Sequence, residues 1–173
     1  MLRFLAPLVM LVAAAGLHAQ TTQAPGNHLI DYDAFARNVS DVGSLREARR
    51  ISEAEFMSMA RDPGTVILDA RSERLFALRH VAGAVNLSFP EFTEATLARI
   101  IPTRETRILI YCNNNFVGAP GSLPVKIAAS ALNVSTFVSL HAYGYRNVYE
   151  LGPVIDVAQA EIAFAGSEVS GSN

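Results

Sequence analysis

Short apolar-rich runs punctuate the chain, and the stretches between them carry apolar residues at helical spacing. The runs are Val66-Ile67-Leu68, Ala84-Val85-Asn86-Leu87, Arg107-Ile108-Leu109-Ile110-Tyr111 and Asn147-Val148-Tyr149-Glu150-Leu151. Their length and composition suit strands, and the most apolar of them suit strands buried on both faces. Arg107 to Tyr111 gives the strongest strand signal. Ser52-Glu53-Ala54-Glu55 predicts a capping box that opens a helix with Phe56, Met59 and Ala60 inward, and Asp62-Pro63-Gly64 ends it. Glu73 to Leu78, Phe92 to Ile101 and Val125 to Tyr143 read as further helices. The last is broken near Asn133, a cap for its second part, and is closed by Gly144. His80-Val81-Ala82-Gly83 reads as a loop. Residues 31–50, with Phe35, Val39, Val42 and Leu45 at helical spacing, read as one or two short helices on the main body. Strands that alternate with helices predict an α/β fold: one domain with a central, mostly parallel β-sheet flanked by helices on both faces.

The ends of the chain read differently. Arg3 followed by the apolar Leu8 to Leu17 and by Ala19 has the form of a secretory signal peptide over residues 1–19. The alternative is an uncleaved N-terminal anchor. The first reading makes the protein exported, periplasmic or secreted, with no stable membrane span once the leader is gone, because no second long apolar stretch follows. Residues 20–49 form a lead-in with short helices. Residues 157–173 form a C-terminal extension, expected to be disordered from Gly166 onward.

Composition narrows the function. Of 173 residues, half are hydrophobic and 17% are charged, which fits one globular domain with a sizeable core. A formal net charge of −2 leaves no basic excess for binding nucleic acid. The four histidines and the single cysteine have no metal-ligand spacing, so no metal is expected. Dinucleotide and phosphate-loop fingerprints are absent, and no cofactor is expected. Asn38-Val39-Ser40, Asn86-Leu87-Ser88 and Asn133-Val134-Ser135 have the form of glycosylation acceptors, but such triplets are common by chance.

The candidate chemistry sits at Cys112, the only cysteine, at the carboxyl end of the most apolar strand. Ligands of parallel sheets bind beyond that end. A loop there can turn main-chain N–H groups inward, and a following helix N-terminus adds partial positive charge; both favour a thiolate. Asn113-Asn114-Asn115 suits such a loop because asparagine tolerates left-handed backbone. The alternative is a buried, inert cysteine. No cation follows Cys112 until Lys126, which is a speculative source of positive charge if it folds back.

Four pieces in order resemble the rhodanese family. Ile67-Leu68-Asp69-Ala70-Arg71 is similar to its Asp-x-Arg strand end, and His80 to Leu87 to its histidine-glycine-alanine-asparagine stretch. Ile108 to Cys112 resembles the strand that delivers the active cysteine, and Gly144 to Leu151 the closing strand. The resemblance covers residues 50–156. It implies that Cys112 takes sulfane sulfur from a donor as a persulfide and passes it to a nucleophilic acceptor. It also implies that Asn113, Asn114, Asn115 and Phe116 form the substrate-binding loop. Asp69 and Arg71 match positions that are mainly structural. His80 either reaches the site or, as the plainer reading, fixes its loop by a hydrogen bond. The family's loop commonly ends in arginine; here Gly118 holds that position, and residues 117–125 form an insertion able to fold into a flap. Two functions follow: a sulfurtransferase of the thiosulfate type, or a non-catalytic module on the same fold that binds a small anion, a sulfur species or a protein partner.

Overall fold

A computed structural model describes residues 26–170; the signal peptide expected over residues 1–19, residues 20–25 and residues 171–173 lie outside the described residues. Residues 26–31 belong to a small unit of their own, a turn in which the Ile30 amide donates to the Asn27 carbonyl at 3.0 Å. The unit that begins at Tyr32 holds the sheet and its helices.

Five strands form the central sheet: β1 (Arg50–Ile51), β2 (Thr65–Asp69), β4 (Val85–Asn86), β5 (Arg107–Tyr111) and β7 (Val148–Leu151). Their spatial order is β1-β7-β5-β2-β4, and every pairing is parallel. The expected α/β architecture is therefore present. β5 lies at the centre because Ile108, Leu109 and Ile110 are fully buried, which only a strand covered on both faces allows. Side chains alternate across it. Ile108 and Ile110 join a core with Val42 of α1 (Tyr32–Ala48), Leu97 of α4 (Glu94–Ile100) and Phe137 of α5 (Leu132–Ala142). Leu109 and Tyr111 join an opposite core with Phe56 of α2 (Glu53–Ala60). Each buried aliphatic or aromatic side chain contributes on the order of 2 kcal/mol, so the two cores dominate the stability.

The predicted capping box is formed: the Glu55 amide donates to Ser52 Oγ, and the Ser52 amide donates to Glu55 Oε2. α3 spans Glu73–Leu78 as expected. Several expectations are corrected. Residues 32–48 form one continuous helix, and Phe35 and Val39 face solvent rather than the body. The expected loop at His80 is a strand, β3 (His80–Val81), because the C-terminal extension returns as β9 (Phe164–Ala165) and pairs with it antiparallel. The tail carries a further helical turn, α6 (Ser167–Ser170), so residues 166–170 are ordered. Helix α4 starts at Glu94, not Phe92, behind a Thr93–Thr96 capping box. Helix α5 starts at Leu132, not Val125. Upstream, both the amide and the carbonyl of Lys126 are occupied by the Asn114 side chain (3.1 and 2.7 Å), which takes them out of any helical ladder. Asn133 is not a cap: Ala131 holds that position, and Asn133 is buried in the first turn.

The insertion after the cysteine is folded rather than free. Phe116–Val117 forms β6, which pairs in parallel with β8 (Ile155–Asp156). Ser122 and Leu123 are buried.

Candidate functional site

Cys112 is 2% exposed and lies one residue beyond β5. Main-chain amides of Asn133, Asn114 and Leu132 point at its sulfur. Two of these belong to the first turn of α5, which reaches the sulfur from twenty positions down the chain. Only Asn114 of these three lies in the loop after Cys112; the other two amides come from the helix that follows the insertion. The thiol is nevertheless raised above its ordinary value. Burial is the main cause, the amides oppose it, and the carboxylate of Glu150 adds to it. The expectation of a favoured thiolate is corrected: in the resting fold, desolvation outweighs the amides.

The asparagine run works through its side chains. Among the described residues no non-glycine residue has positive φ, so left-handed backbone is not the reason for it. Asn115 Oδ1 accepts from the Cys112 amide at 2.9 Å and from Asn133 Nδ2 at 3.0 Å. Asn115 Nδ2 donates to the carbonyl of Leu151 at 2.7 Å. One amide group therefore ties the end of β5, the start of α5 and the end of β7 together. Asn114 holds Lys126 by its main chain, and Asn113 accepts from Arg71 Nη1 at 3.3 Å. Phe116, expected in the binding loop, is instead fully buried edge-on to Tyr111 and Phe164 in the opposite core.

Asp69 and Arg71 form a buried knot. Arg71 Nη2 lies 2.5 Å from Asp69 Oδ2, and Nε donates to the same carboxylate at 2.9 Å. The remaining guanidinium donors go to the carbonyls of Arg79 and Ser122 and to Asn113. Burial penalises the charge of Arg71, but Asp69 outweighs it and holds the guanidinium above its ordinary value. Tyr111 donates to Asp69 at 2.5 Å and is pushed well up, by burial first and then by that carboxylate. The donors of Arg71 are spent inside the protein. His80 fixes its loop: Nδ1 contacts the Phe76 carbonyl at 2.7 Å, and its ring stacks on Phe76. Asn86, which sequence reasoning did not place at the site, donates to the carbonyls of both Asp69 and Arg71 and so braces the same turn.

A cavity of about 270 Å³ opens beside the sulfur. Arg46, Arg50, Asn133 and Glu150 line it with Cys112. Lys126 does not: it lines a different cavity, with Arg71 and Asn113, so its expected role over the sulfur is corrected. Nor do residues 117–125 form a flap over the cavity; Ala128 and Ala131, further along, contribute to its wall. Sequence reasoning missed Arg46, Arg50 and Glu150, because nothing local marks an arginine before the domain as a neighbour of the cysteine. Among the described residues, no group of three or more His, Cys, Asp or Glu side chains is placed to hold a metal, and no helix is long and apolar enough to cross a membrane.

Comparison with known proteins gives one family. The family model described as a rhodanese-like domain matches residues 52–151. Among solved structures, the chain is similar to the rhodanese-like domain of an Anabaena protein (18% identity, 72% of this chain and 83% of that one, TM-score 0.49). It is also similar to a protein from Bacillus halodurans (16% identity, 68% and 77%, TM-score 0.47). A third is a rhodanese with anions from E. coli (18% identity, 60% and 99%, TM-score 0.40). No curated protein sequence matches the chain.

Proposed function

The chain belongs to the rhodanese-like domain family, and from that premise we propose that Cys112 carries sulfane sulfur between a donor and a nucleophilic acceptor. The observation that carries this reading is the set of main-chain amides aimed at the sulfur of Cys112. Such donors cost nothing to reorganise as charge develops, and they stabilise a persulfide anion as well as a thiolate. The step is a double displacement. The Cys112 thiolate attacks the outer sulfur of thiosulfate, an S–S bond forms, and the sulfur–sulfonate bond breaks with its electron pair leaving as sulfite. An acceptor thiolate or cyanide then attacks the outer persulfide sulfur and releases the Cys112 thiolate. No oxidant or reductant is needed.

Two observations favour a second reading, a binding module without turnover. The thiol is raised rather than lowered, and Gly118 stands where a loop cation is expected. In either reading the apolar leader of residues 1–19 supports action after export.

Intact-mass measurement after incubation with thiosulfate or polysulfide separates the two readings. The carrier gains the mass of one sulfur atom, and the gain disappears in Cys112→Ser. No gain with any sulfane donor leaves the binding module.

A further inference from the structure

Two arginines line the sulfur cavity, and both lie outside residues 52–151, the span of the family match. Arg46 comes from the last turn of α1. Arg50 opens β1, the edge strand beside β7. Strand register explains how Arg50 arrives there. Arg50 pairs with Glu150, and Glu150 pairs with Ile110. Cys112 is two residues beyond Ile110, so all four residues project from the same face of the sheet.

The two arginines are differently committed. Arg46 is largely buried, and its Nη2 donates to Glu150 Oε1 at 2.6 Å. Its charge is matched by that carboxylate. The Arg50 side chain is 41% exposed, and it pairs with Glu47, itself 64% exposed, at 3.3 Å. Its other contact is a long one to the Gly152 carbonyl at 3.5 Å. Ion pairs between such exposed groups contribute little, so Arg50 can exchange Glu47 for an incoming anion at small cost.

We propose that Arg50 is the anion anchor of the Cys112 site, a guanidinium supplied from the strand before the family domain in place of the loop arginine, while Arg46 neutralises Glu150 behind it. This rests on the carrier reading. The anchor holds the sulfonate end of the donor, which is anionic before the S–S bond breaks, so a planar, always-charged group binds ground state and transition state alike. Arg46 is a positioning residue, because it acts through Glu150.

The test uses the purified protein and sulfate, an oxyanion with no sulfur to transfer. Rising sulfate is expected to slow alkylation of Cys112 by neutral iodoacetamide. In Arg50→Ala the half-protecting concentration is expected to rise about tenfold, and Arg50→Lys is expected to fall between. Arg146→Ala, at the far end of the sheet, is expected to match the parent. Equal protection in the parent and Arg50→Ala, or none in either, overturns the proposal. With thiosulfate as donor, Arg50→Ala is expected to raise KM about tenfold with kcat within about twofold; a fall confined to kcat overturns the anchoring role. A parent that takes up no sulfur from any donor defeats the carrier reading, and the sulfate experiment still decides whether Arg50 holds an anion.

Discussion

Arg46 of α1 clasps Glu150 of β7: Nη2 donates to Oε1 at 2.6 Å, and Nε lies 2.6 Å from Oε2. The carboxylate is almost wholly buried and adds to the upward push on the nearby Cys112 thiol. Removing its charge therefore lowers the thiol, and removing its partner raises it. Glu150→Gln is expected to speed alkylation at neutral pH about two- to threefold. Arg46→Ala is expected to slow it, and to cost roughly 1–3 kcal/mol of stability because a buried carboxylate loses its counter-charge. The pH dependence of iodoacetamide labelling, together with urea unfolding, checks both. An unchanged labelling profile in Glu150→Gln removes that carboxylate from the electrostatics of the thiol.

The raised thiol makes stability fall in alkaline solution. The folded state keeps Cys112 protonated where the unfolded chain, near the reference of roughly 8.5, already releases the proton. This contribution is complete below the unfolded value and is lost as pH rises towards the folded one. Unfolding free energy is thus expected to decline from about pH 8 upward in the parent. In Cys112→Ser the decline is expected to begin only near pH 10, where Tyr111, also raised, starts to act in the same direction. Coincident profiles in the two proteins contradict the direction of the Cys112 shift.

The Asp69–Arg71 knot predicts a severe and poorly rescued defect. Five acceptor atoms from four groups converge on one buried guanidinium, so truncating either partner strands the other. Arg71→Ala is expected to destabilise by about 3–5 kcal/mol. Arg71→Lys is expected to recover little of this, since one ammonium cannot reach the Asp69 carboxylate and the carbonyls of Arg79 and Ser122 together. A lysine variant as stable as the parent in urea shows that charge alone, without the fork, holds the turn.

Much of the sheet was legible because it is written locally. β5 and α3 have their predicted bounds, since an apolar run of strand length and a short helical segment each carry their own signal. What escaped depends on distant partners. His80–Val81 looks like a loop until Phe164–Ala165 pairs with it, and no residue near His80 announces that partner. The site divides in the same way. Cys112 and the asparagines were readable from position, but the amides of Leu132 and Asn133 reach the sulfur, and the arginines of α1 and β1 reach its cavity, only through the fold. The net direction of the thiol shift was misread for a related reason: a sequence shows which dipoles a loop can offer, not how dry the sulfur becomes.

Gly166 gives a last test, in the segment expected to lack structure. Its φ is +118°, and a Cβ placed there would sit 2.5 Å from the Leu78 carbonyl oxygen, backbone that cannot swing aside. Only glycine lets the chain pass from β9 into α6 against the end of α3. Gly166→Ala is therefore expected to lift the returning tail off β3 and to cost roughly 1–3 kcal/mol, from the disfavoured dihedral and the clash together. The loss should be local at first. The Ala82 amide, bonded to the Ala163 carbonyl at 2.8 Å, is expected to exchange with solvent much faster in the variant, whereas amides of β5 keep their protection. Unchanged exchange at Ala82 in Gly166→Ala means that the tail is held by Phe164 in the apolar core rather than by the tight passage at the glycine.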